Sequence, residues 1–500
     1  PFPEYSTENE ESDLKKGTFQ FLNERRTLGR PVDWDPEASA LWRFHLHYFQ
    51  YLPALSETLR RELCREWISA NPAGQQPAWH PYPTSLRIIN WCKAAPRAKR
   101  GSSLRAAPRE AQILESLYEQ AAYLYRHLET YLLGNHLLEN ARALIYASHF
   151  FRDQGEAPEW GKQGLEIYRT QSSEQILSDG GHFERSPMYH ALMLEGYLDV
   201  LNLLGPIEEN ENLSGHLVDA ARRMTGFLVA LTHPGGQFAQ FNDTARGEAL
   251  STSRLVAYAQ EVLGDEQLPT SASFEETGYY VYEDEDVYLV IDGGSIGPDY
   301  LPGHAHADIF SYELSFHQHR WIVDTGVSTY ESGPERIHER GTAAHNTVTV
   351  DGADQAECWG SFRVARRFSP LGVSYQQGED GASFQGCFDG YASLLGDDIT
   401  HERRISIEAG GQAIQVEDTV AGRGQHCIES RIHLHPDVEV ETREADAIQL
   451  SRGDHRVLIT VDQGKLQFDK GWHAPEFGMR RETDVLVIQV SKELPVTCSY

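Results

Sequence analysis

The chain has 500 residues, of which 40% are hydrophobic and 24% are charged, a composition typical of a soluble globular protein. This length exceeds one ordinary hydrophobic core, so two large domains are predicted. The net charge of -30 argues against general nucleic-acid binding, and no apolar run is long enough to span a membrane. This net charge does not exclude an anionic polymer as substrate. Salt screening confines electric fields to about 10 Å, so a local cluster of Arg and His side chains can form a positive channel in an acidic protein.

Between about Trp42 and Leu263 the apolar residues recur with a helical period. One helix is predicted from Ile113 to Leu132. Gly134 interrupts the pattern, and Asn135 is predicted as the N-cap of the next helix. Such segments joined by short loops indicate a bundle, solenoid or toroid. The next helix should bury Leu137, Leu138, Ala141, Leu144 and Ile145, and further helices are predicted at Gly164–Leu177, Pro187–Leu204, Leu217–Leu231 and Ser253–Leu263.

After about Thr277 the pattern changes to short runs rich in β-branched and aromatic residues. The boundary is predicted near Gln267–Glu276. This gives a helical domain over residues 1–272 and an antiparallel β-sandwich over residues 273–500. The predicted strands are Tyr279–Tyr282, Val287–Ile291, Glu313–Phe316, Trp321–Val323, Thr347–Val350, Ile405–Ile407, Ala413–Val416, Ile428–Leu434, Val457–Val461 and Val485–Val490.

The six cysteines are sparse and form no C-x-x-C pair, so neither a disulfide scaffold nor a thiolate zinc site is predicted.

The segment Gly134–Glu139 (GNHLLE) places an amide and an imidazole at a predicted helix start. With the helix dipole, Asn135 and His136 could hold a substrate carboxylate. The simpler interpretation is a cap at Asn135 and a surface residue at His136, and the segment by itself favours it.

A polar loop runs from Ser178 to His190, and Ser186-Pro187 is predicted to open the next helix. Tyr189 would then lie in the first turn. A tyrosine in a polar cleft can transfer a proton when nearby cations lower its pKa. A structural hydrogen bond is the simpler interpretation of Tyr189 taken alone.

Histidines and carboxylates recur in three nearby elements, at Gly303–Asp308 (GHAHAD), Asp324 and His345. Neutral imidazoles and a carboxylate are good ligands for Zn²⁺ or Mn²⁺. His306, Asp324 and His345 could therefore bind one ion, which leaves His304 as a candidate base. Because the chain has 22 histidines, some H-x-H sequences are expected by chance. Three such elements within a short span favour a functional site over a chance cluster.

Cations follow the histidine-rich segment and could line an anion-binding cleft. A solvated face, paired with local acids such as Glu335 and Glu339, is an equally good interpretation. The residues of this group are Arg336, His338, Arg340, Arg363, Arg366 and Arg367.

Together these segments resemble the heparinase II/III-like polysaccharide lyases, the family type that includes glycosaminoglycan and alginate lyases. Their order and spacing are specific, and they cover most of the chain. The resemblance implies an α+β, multidomain architecture with an incomplete α/α toroid followed by an antiparallel β-sandwich. The matching stretches are Trp79–Trp91, Gly134–Glu139, Asp179–His190, Gly303–Asp308 and Asp324–Gly352.

The resemblance implies β-elimination next to a uronic acid, in a polymer such as heparan sulfate, hyaluronan, chondroitin sulfate or alginate. Asn135 or His136 would neutralise the substrate carboxylate. Tyr189 would be the acid and a candidate base, and His304 would be the other proton-transfer residue. The chemistry agrees, because a carbon acid beside a carboxylate needs its charge masked and a positioned acid and base.

The resemblance also implies that His306, Asp324 and His345 bind a divalent metal, Zn or Mn, in a structural role. Glu139 and Arg340 are weaker candidates for orienting the substrate. The expected partner is an anionic polysaccharide, with no nucleic acid and no membrane. The residues from Pro1 onward show no basic and apolar stretch, so no leader is expected in them. A secreted or periplasmic location is expected, with the cytoplasm as the alternative. The oligomeric state is left open.

Two other functions stay open. A metal-dependent hydrolase would use His304-x-His306-x-Asp308, which resembles the start of the H-x-H-x-D-H motif of metallo-β-lactamase-like enzymes. Ile309 stands where that motif has its last histidine. The long helical N-terminal half also does not suit the fold of those enzymes. A non-catalytic glycan-binding or scaffolding protein could share the lyase fold. The presence of Tyr189 and His304 makes it the weaker alternative.

Overall fold

A computed structural model describes residues 2–3, 8–94, 108–152, 154–205, 211–264, 268–269 and 271–500. The chain divides into two compact units. Unit 1 comprises Pro1–Gln175, Met193–Ala221 and Ala257–Asp265, and unit 2 comprises Ile176–Leu192, Arg222–Val256 and Glu266–Tyr500. Two stretches of the helical half thus belong to unit 2, a division that the sequence pattern does not reveal. The domain bounds 1–272 and 273–500 stay a prediction.

The N-terminal half is helical and the C-terminal half is rich in antiparallel strands, as predicted. In the described part of the chain, no helix has the length and apolar character that a membrane crossing needs. The helices are α1 (Glu11–Leu14), α2 (Ala40–Tyr48), α3 (Glu57–Ala70), α4 (Pro81–Ala94), α5 (Pro108–Arg126), α6 (Gly134–Phe151), α7 (Ala157–Gln175), α8 (Pro187–Leu204), α9 (Glu211–Ala230), α10 (Thr252–Leu263), α11 (Pro334–Arg340) and α12 (Gly390–Leu395).

Helix α6 buries the apolar face that its period predicts, including Leu137, Leu138 and Leu144. Its start differs from the prediction. The N-cap position is Leu133, which has φ 62° and makes no side-chain cap, and the helix begins at Gly134. Asn135 is therefore inside the first turn, and its prediction as the N-cap was wrong. The reversed backbone at Leu133 and Gly134 starts the helix two residues earlier than a side-chain cap at Asn135 would.

The strands of the C-terminal half include all those predicted, within a few residues at each end. Among the strands that were not predicted, Leu371–Gly378 is mostly exposed and lacks a clear apolar alternation. The strands are β1 (Thr18–Phe21), β2 (Glu24–Thr27), β3 (Ser273–Phe274), β4 (Tyr279–Glu283), β5 (Val287–Asp292), β6 (Tyr312–Phe316), β7 (His319–Ile322), β8 (Val348–Val350), β9 (Glu357–Trp359), β10 (Arg363–Ala365), β11 (Leu371–Gly378), β12 (Gly381–Phe388), β13 (Thr400–Glu408), β14 (Ile414–Ala421), β15 (Gln425–His433), β16 (Glu439–Arg443), β17 (Ala447–Arg452), β18 (His455–Thr460), β19 (Lys465–His473), β20 (Arg481–Glu493) and β21 (Val496–Ser499).

The strands of unit 2 form antiparallel sheets around a shared core. The larger sheets have the orders β3-β4-β5-β6-β7, β11-β12-β13-β14-β21 and β19-β20-β15-β8, and β16-β17-β18 and β9-β10 form smaller ones. Side chains such as Leu289, Phe384, Ile405 and Ile488 pack into one cluster from three of these sheets. Strands β12 and β13 alternate buried and more exposed residues, as expected for sheets with one face on a core.

Strands β4 and β5 are buried on both faces. Leu289 packs into the main sheet core, while Val290 packs into a second cluster with Phe227 and Phe241. Phe241 directly precedes Asn242 and Asp243. The second cluster therefore anchors the loop that carries Asp243, and this loop is central to the site described below.

Candidate active site

Tyr189 lies in the first turn of α8, as predicted, and is 9% exposed. The helix begins at Pro187, and the Ser186 hydroxyl accepts a hydrogen bond from the Tyr189 N–H at 3.3 Å. The same hydroxyl donates to the Asp243 carbonyl oxygen at 2.6 Å. Ser186 therefore ties the start of α8 to the loop of Asp243.

The Gly303–Asp308 segment begins with a turn at Gly303 and His304 and forms no strand, but its residues alternate between two surroundings. Ala305 and Ala307 are buried in the sheet core. His304 and His306 point the other way, and both reach Asp243. One short segment therefore packs against the sheet core through its alanines and contacts Asp243 through its two imidazoles.

Asp243 is fully buried and is the centre of the polar network. Its carboxylate contacts His304 Nδ1 at 2.9 Å, His306 Nε2 at 2.9 Å, and both terminal nitrogens of Arg336 at 2.5 and 2.8 Å. Burial alone would raise the pKa of Asp243, but Arg336 and the two imidazoles hold it well below its usual value. The carboxylate is therefore a fixed negative charge.

The rings of Tyr189 and His304 lie 3.9 Å apart between centroids. The His304 Nδ1 contact with Asp243 favours the tautomer with a hydrogen on Nδ1, in which Nε2 is the atom that can accept a proton. Nε2 is 3.7 Å from a Glu184 carboxylate oxygen, and the His304 side chain is 14% exposed. The pair thus offers two neighbouring groups that can transfer protons.

A second tyrosine supports the first. The hydroxyls of Tyr189 and Tyr330 lie 3.2 Å apart. Burial raises the pKa of Tyr330 well above its usual value, so Tyr330 keeps its proton. It can donate a hydrogen bond to Tyr189 when Tyr189 carries negative charge.

His306, Asp308 and His345 form a buried group whose ligand atoms lie within 4.8 Å of one another. His306 Nδ1, His345 Nε2 and a side-chain oxygen of Asp308 have no hydrogen-bond partner among the described residues. Unpartnered buried polar atoms are costly. Three of them converging with this donor chemistry fit a Zn²⁺ or Mn²⁺ ion.

Carboxylates orient both imidazoles of this group. Asp243 contacts His306 Nε2, and Asp324 contacts His345 Nδ1 at 2.7 Å. Such partners fix the ring that faces a metal. Burial lowers the pKa of His306 to about 3. Burial also lowers that of His345, but Asp324 and Asp308 outweigh it and raise the pKa of His345 to about 9.

The structure therefore groups His306 and His345 as predicted, but with Asp308 rather than Asp324 as the third member. The difference has a geometric cause, because Asp324 is placed behind the His345 ring, at Nδ1. Asp308 is in the GHAHAD segment, where the sequence motif points to it only under the hydrolase alternative. His304 is outside this group and faces Tyr189 and Asp243.

Arg340 is fully buried, and its guanidinium donates to the main-chain carbonyls of Ala305, Gly360 and Arg363 at 3.1 to 3.4 Å. It is thereby placed to hold the GHAHAD segment, which corrects the expectation that it contacts substrate. Each guanidinium nitrogen of Arg340 donates to a main-chain carbonyl, and the side chain is buried.

Glu139 is likewise buried in unit 1, where Arg142 Nη1 donates to it at 3.1 Å. Arg142 also pairs with Glu195 and Asp199. Burial raises the pKa of Glu139, against the effect of Arg142. Glu139 is therefore one member of a buried ion network, a structural role rather than the expected substrate contact.

Asn135 and His136 lie at the start of α6 in unit 1. Asn135 is 2% exposed. His136 Nδ1 contacts Glu129 at 2.9 Å, and its ring lies 4.3 Å from that of Tyr82. His136 is thus held by a carboxylate and an aromatic ring, and is not a loose surface residue.

The predicted cation group separates into distinct roles. Arg336 and Arg340 are buried and engaged by Asp243 and by main-chain carbonyls. Arg366 pairs with Glu357 on the surface. Arg363 is exposed, and no carboxylate pairs with it in the described part of the chain.

Sequence reasoning missed Asp243, Glu184 and Tyr330. Asn242, Asp243 and Thr244 form a short polar run between the apolar residues Phe241 and Ala245. This run is the local sequence signal of the loop. The Asn242 side-chain oxygen accepts from the His306 N–H at 3.0 Å. These pairings cross about sixty residues of sequence, so no spacing rule predicts them.

Two family models match the chain. The model described as "Heparinase II/III N-terminus" matches residues 40–268, and the one described as "Heparinase II/III-like, C-terminal" matches residues 266–500. Together they cover nearly all of the sequence.

Among curated proteins, a heparin-sulfate lyase of Bacteroides stercoris is 27% identical over 45% of this chain and 37% of its own length. A heparin-sulfate lyase of Pedobacter heparinus is 21% identical over 65% of this chain and 54% of its own length. The chain thus spans about a third to a half of these two relatives. FtsZ-localized protein C of Caulobacter vibrioides is 24% identical over 85% of this chain and 76% of its own length.

Solved structures share the fold. A heparinase III crystal structure has a TM-score of 0.71 at 17% identity and covers 95% of this chain and 79% of that chain. The heparan sulfate lyase of Pedobacter heparinus has a TM-score of 0.61 at 18% identity and covers 98% of this chain and 81% of that chain. The predicted succession of a helical and an antiparallel β-rich region is thereby confirmed.

Proposed function

The chain belongs to the heparinase II/III-like polysaccharide lyase family, and on that premise we propose that it cleaves a uronic-acid-containing polysaccharide by β-elimination. The observation that carries the proposal is the contact of Tyr189 with His304, whose Nδ1 is held by buried Asp243. Two adjacent groups with proton-transfer chemistry, one of them oriented by a carboxylate, meet the needs of an elimination.

In the proposed reaction a base removes the C5 proton of the uronate, and an acid protonates the leaving glycosidic oxygen. The bond between C4 and that oxygen breaks as the C4–C5 double bond forms. His304 Nε2 carries the lone pair for one transfer, and Tyr189 supplies its hydroxyl for the other. Tyr330, 3.2 Å from Tyr189, stabilises negative charge on the Tyr189 oxygen.

The substrate carboxylate must be neutralised before C5 becomes acidic, and we assign this step to Asn135 or His136. Both lie in the first turn of α6, where backbone N–H groups and the helix dipole favour an anion. The contact of His136 with Glu129 favours Asn135 as the residue that meets the carboxylate, with His136 held in support.

A divalent ion, Zn²⁺ or Mn²⁺, fits His306, Asp308 and His345, and when bound it would stabilise the convergence of these buried donors. Asp243 contacts both His306 and His304. We therefore propose a structural role for the metal site, which keeps the segment of the catalytic histidine in place.

For the substrate, we propose heparan sulfate first, because two curated relatives are named for that activity. Hyaluronan, chondroitin sulfate and alginate offer the same uronate chemistry. Action on such polymers is consistent with a secreted or periplasmic location, which we propose on the same basis.

The test is ultraviolet absorbance during incubation with heparan sulfate, hyaluronan, chondroitin sulfate and alginate. Rising absorbance from the conjugated double bond is expected with at least one polymer. Shortened chains without absorbance would indicate hydrolysis. Unchanged polymers that nevertheless bind would indicate a binding or scaffolding protein, and either result would overturn the lyase proposal.

A further inference from the structure

The hairpin β9–β10 carries two large aromatic side chains into solvent. Trp359 is 48% exposed and Phe362, in the turn, is 44% exposed. Isolated exposed apolar residues are ordinary. These two lie three residues apart in one hairpin, Trp359 at the end of β9 and Phe362 in the turn, and the Phe362 ring lies beside the site described above.

Phe362 links the hairpin to the site. Its ring centroid lies 6.0 Å from that of His304 and 5.1 Å from that of Tyr330. An ideal Cβ built on Gly303 would lie 3.7 Å from Phe362 Cβ, an ordinary packing distance. The turn therefore packs directly against the segment that presents His304.

Arg336 fixes this turn relative to His304. Its guanidinium holds Asp243, the partner of His304, and its Nε and Nη2 also donate to the Ser361 carbonyl at 3.0 and 2.9 Å. Arg340 donates to the carbonyls of Gly360 and Arg363 at 3.4 Å. Two buried cations thus hold the main chain of the hairpin, which is more support than an incidental surface turn needs.

Trp359 and Arg363 are direct cross-strand partners. Partners in an antiparallel pair project their side chains from the same face, close enough to act together. Both are exposed, and in the described residues no carboxylate neutralises Arg363. An indole and a guanidinium on one face offer a flat apolar surface and a fork of donors for an oxyanion.

We propose that Trp359 and Arg363 form a subsite for an anionic sugar unit of the polymer, adjacent to the unit that reacts at Tyr189 and His304. The indole stacks on the sugar face, and the guanidinium binds a carboxylate or sulfate group. In a protein of net charge -30, an exposed cation without a carboxylate partner gives local charge complementarity to such a chain. This inference rests on the proposed lyase function.

The test compares Trp359→Ala and Arg363→Ala with wild type, using heparan sulfate or whichever polymer the absorbance assay identifies. Each variant should raise KM about tenfold, as expected for loss of an aromatic or arginine anchor, while kcat changes far less. Each substitution is also combined with Tyr189→Phe, which removes turnover. In that background it should raise the equilibrium Kd for the polymer by the same factor, which separates binding from chemistry.

Matched controls remove similar side chains elsewhere. Leu458→Ala removes another exposed apolar group, 64% exposed on β18. Arg423→Ala removes an exposed arginine that pairs with Asp398. Neither should change KM. If Trp359→Ala and Arg363→Ala match these controls while wild type turns over normally, the subsite is overturned. Absence of product with wild type would instead overturn the lyase proposal.

Desulfation of the polymer distinguishes a sulfate from a carboxylate as the group that Arg363 binds. A desulfated form of the same polymer should abolish the KM difference between Arg363→Ala and wild type if the guanidinium binds sulfate. The difference should persist if it binds the uronate carboxylate. Equal KM values for Arg363→Ala and wild type on both forms would contradict the assignment of Arg363.

Discussion

Arg336 and Asp243 form a buried two-point ion pair, with nitrogen–oxygen distances of 2.5 and 2.8 Å. Asp243 uses the same two oxygens to contact His304 and His306. One carboxylate thereby joins the proposed proton-transfer residue to the proposed metal site. A buried charge with this many partners is expected to affect both turnover and stability.

We expect Asp243→Asn to lower kcat about 10- to 100-fold, the usual effect of losing a partner that orients a functional histidine. The amide no longer fixes the hydrogen of His304 at Nδ1. It also leaves Arg336 buried without its counter-charge, so the midpoint of thermal unfolding should fall. Steady-state kinetics, with circular dichroism to verify the fold, provides the measurement.

Asp292→Asn is a suitable control for Asp243→Asn. Burial and the nearby Asp308 charge raise the pKa of Asp292 well above its usual value. The fold thus favours the uncharged form of this carboxyl, for which the amide is a close replacement. Its kcat should stay near that of wild type. Equal losses in the two variants would mean that buried charge in general, and not the His304 contact, is responsible.

Tyr189→Phe should abolish measurable turnover, a loss of about 10²- to 10⁴-fold for one general acid or base. The ring and its contact with His304 are kept, so the fold and polymer binding should survive. The same absorbance assay, with a binding titration, gives the result. Tyr330→Phe removes the neighbouring hydroxyl and should reduce kcat by a smaller factor. A Tyr189→Phe variant with wild-type rates would refute the assigned role.

His306→Ala should lower both metal content and the midpoint of thermal unfolding. The variant removes one of the three converging ligands and leaves the other buried donors without a partner. Elemental analysis of the purified protein, with and without added Zn²⁺ or Mn²⁺, measures the first effect. An unchanged metal content would count against the site.

Asp308→Asn and Asp324→Asn distinguish a direct ligand from an orienting residue. Asp308→Asn should weaken metal binding more, because Asp308 belongs to the converging group. Asp324→Asn loses only the support of His345 Nδ1. The reverse order would restore Asp324 as the direct ligand that the sequence predicted.

Asp418→Asn should lower the free energy of unfolding by about 3–5 kcal/mol, because it leaves a buried arginine without its counter-charge. Arg403 donates to both Asp418 oxygens at 2.7 and 2.8 Å. The exposed pair of Asp398 and Arg423 supplies the control, since Asp398→Asn should change stability little. Urea unfolding measures both.

The effect of Asp418 should depend on pH in one direction. Burial would raise the pKa of Asp418, but Arg403 and His401 hold it well below its usual value. A depressed carboxyl pKa stabilises the fold above the unfolded value of about 3.9, and this contribution is lost as the pH falls through the folded pKa. The difference between wild type and Asp418→Asn should therefore shrink below about pH 4. A difference that is constant from pH 7 to pH 3 would contradict it.

The sequence by itself determined the succession of helical and β-type regions, because these periods are written into neighbouring residues. It also located Tyr189, since Ser186-Pro187 is a local helix-start signal, and it identified the alternation of histidine and alanine in the GHAHAD segment. The strand Leu371–Gly378 was missed because it is mostly exposed and lacks a clear apolar alternation.

Only the tertiary structure decided which polar groups meet. Asp243 contacts His304 from 61 residues away, and no local pattern encodes that distance. Burial likewise assigned Arg340 and Glu139 to structural contacts, and the side from which Asp324 approaches His345 placed Asp308 in the metal group instead. The physical reason is that secondary structure follows from local periodicity, whereas the partner of a buried charge is set by how distant segments pack.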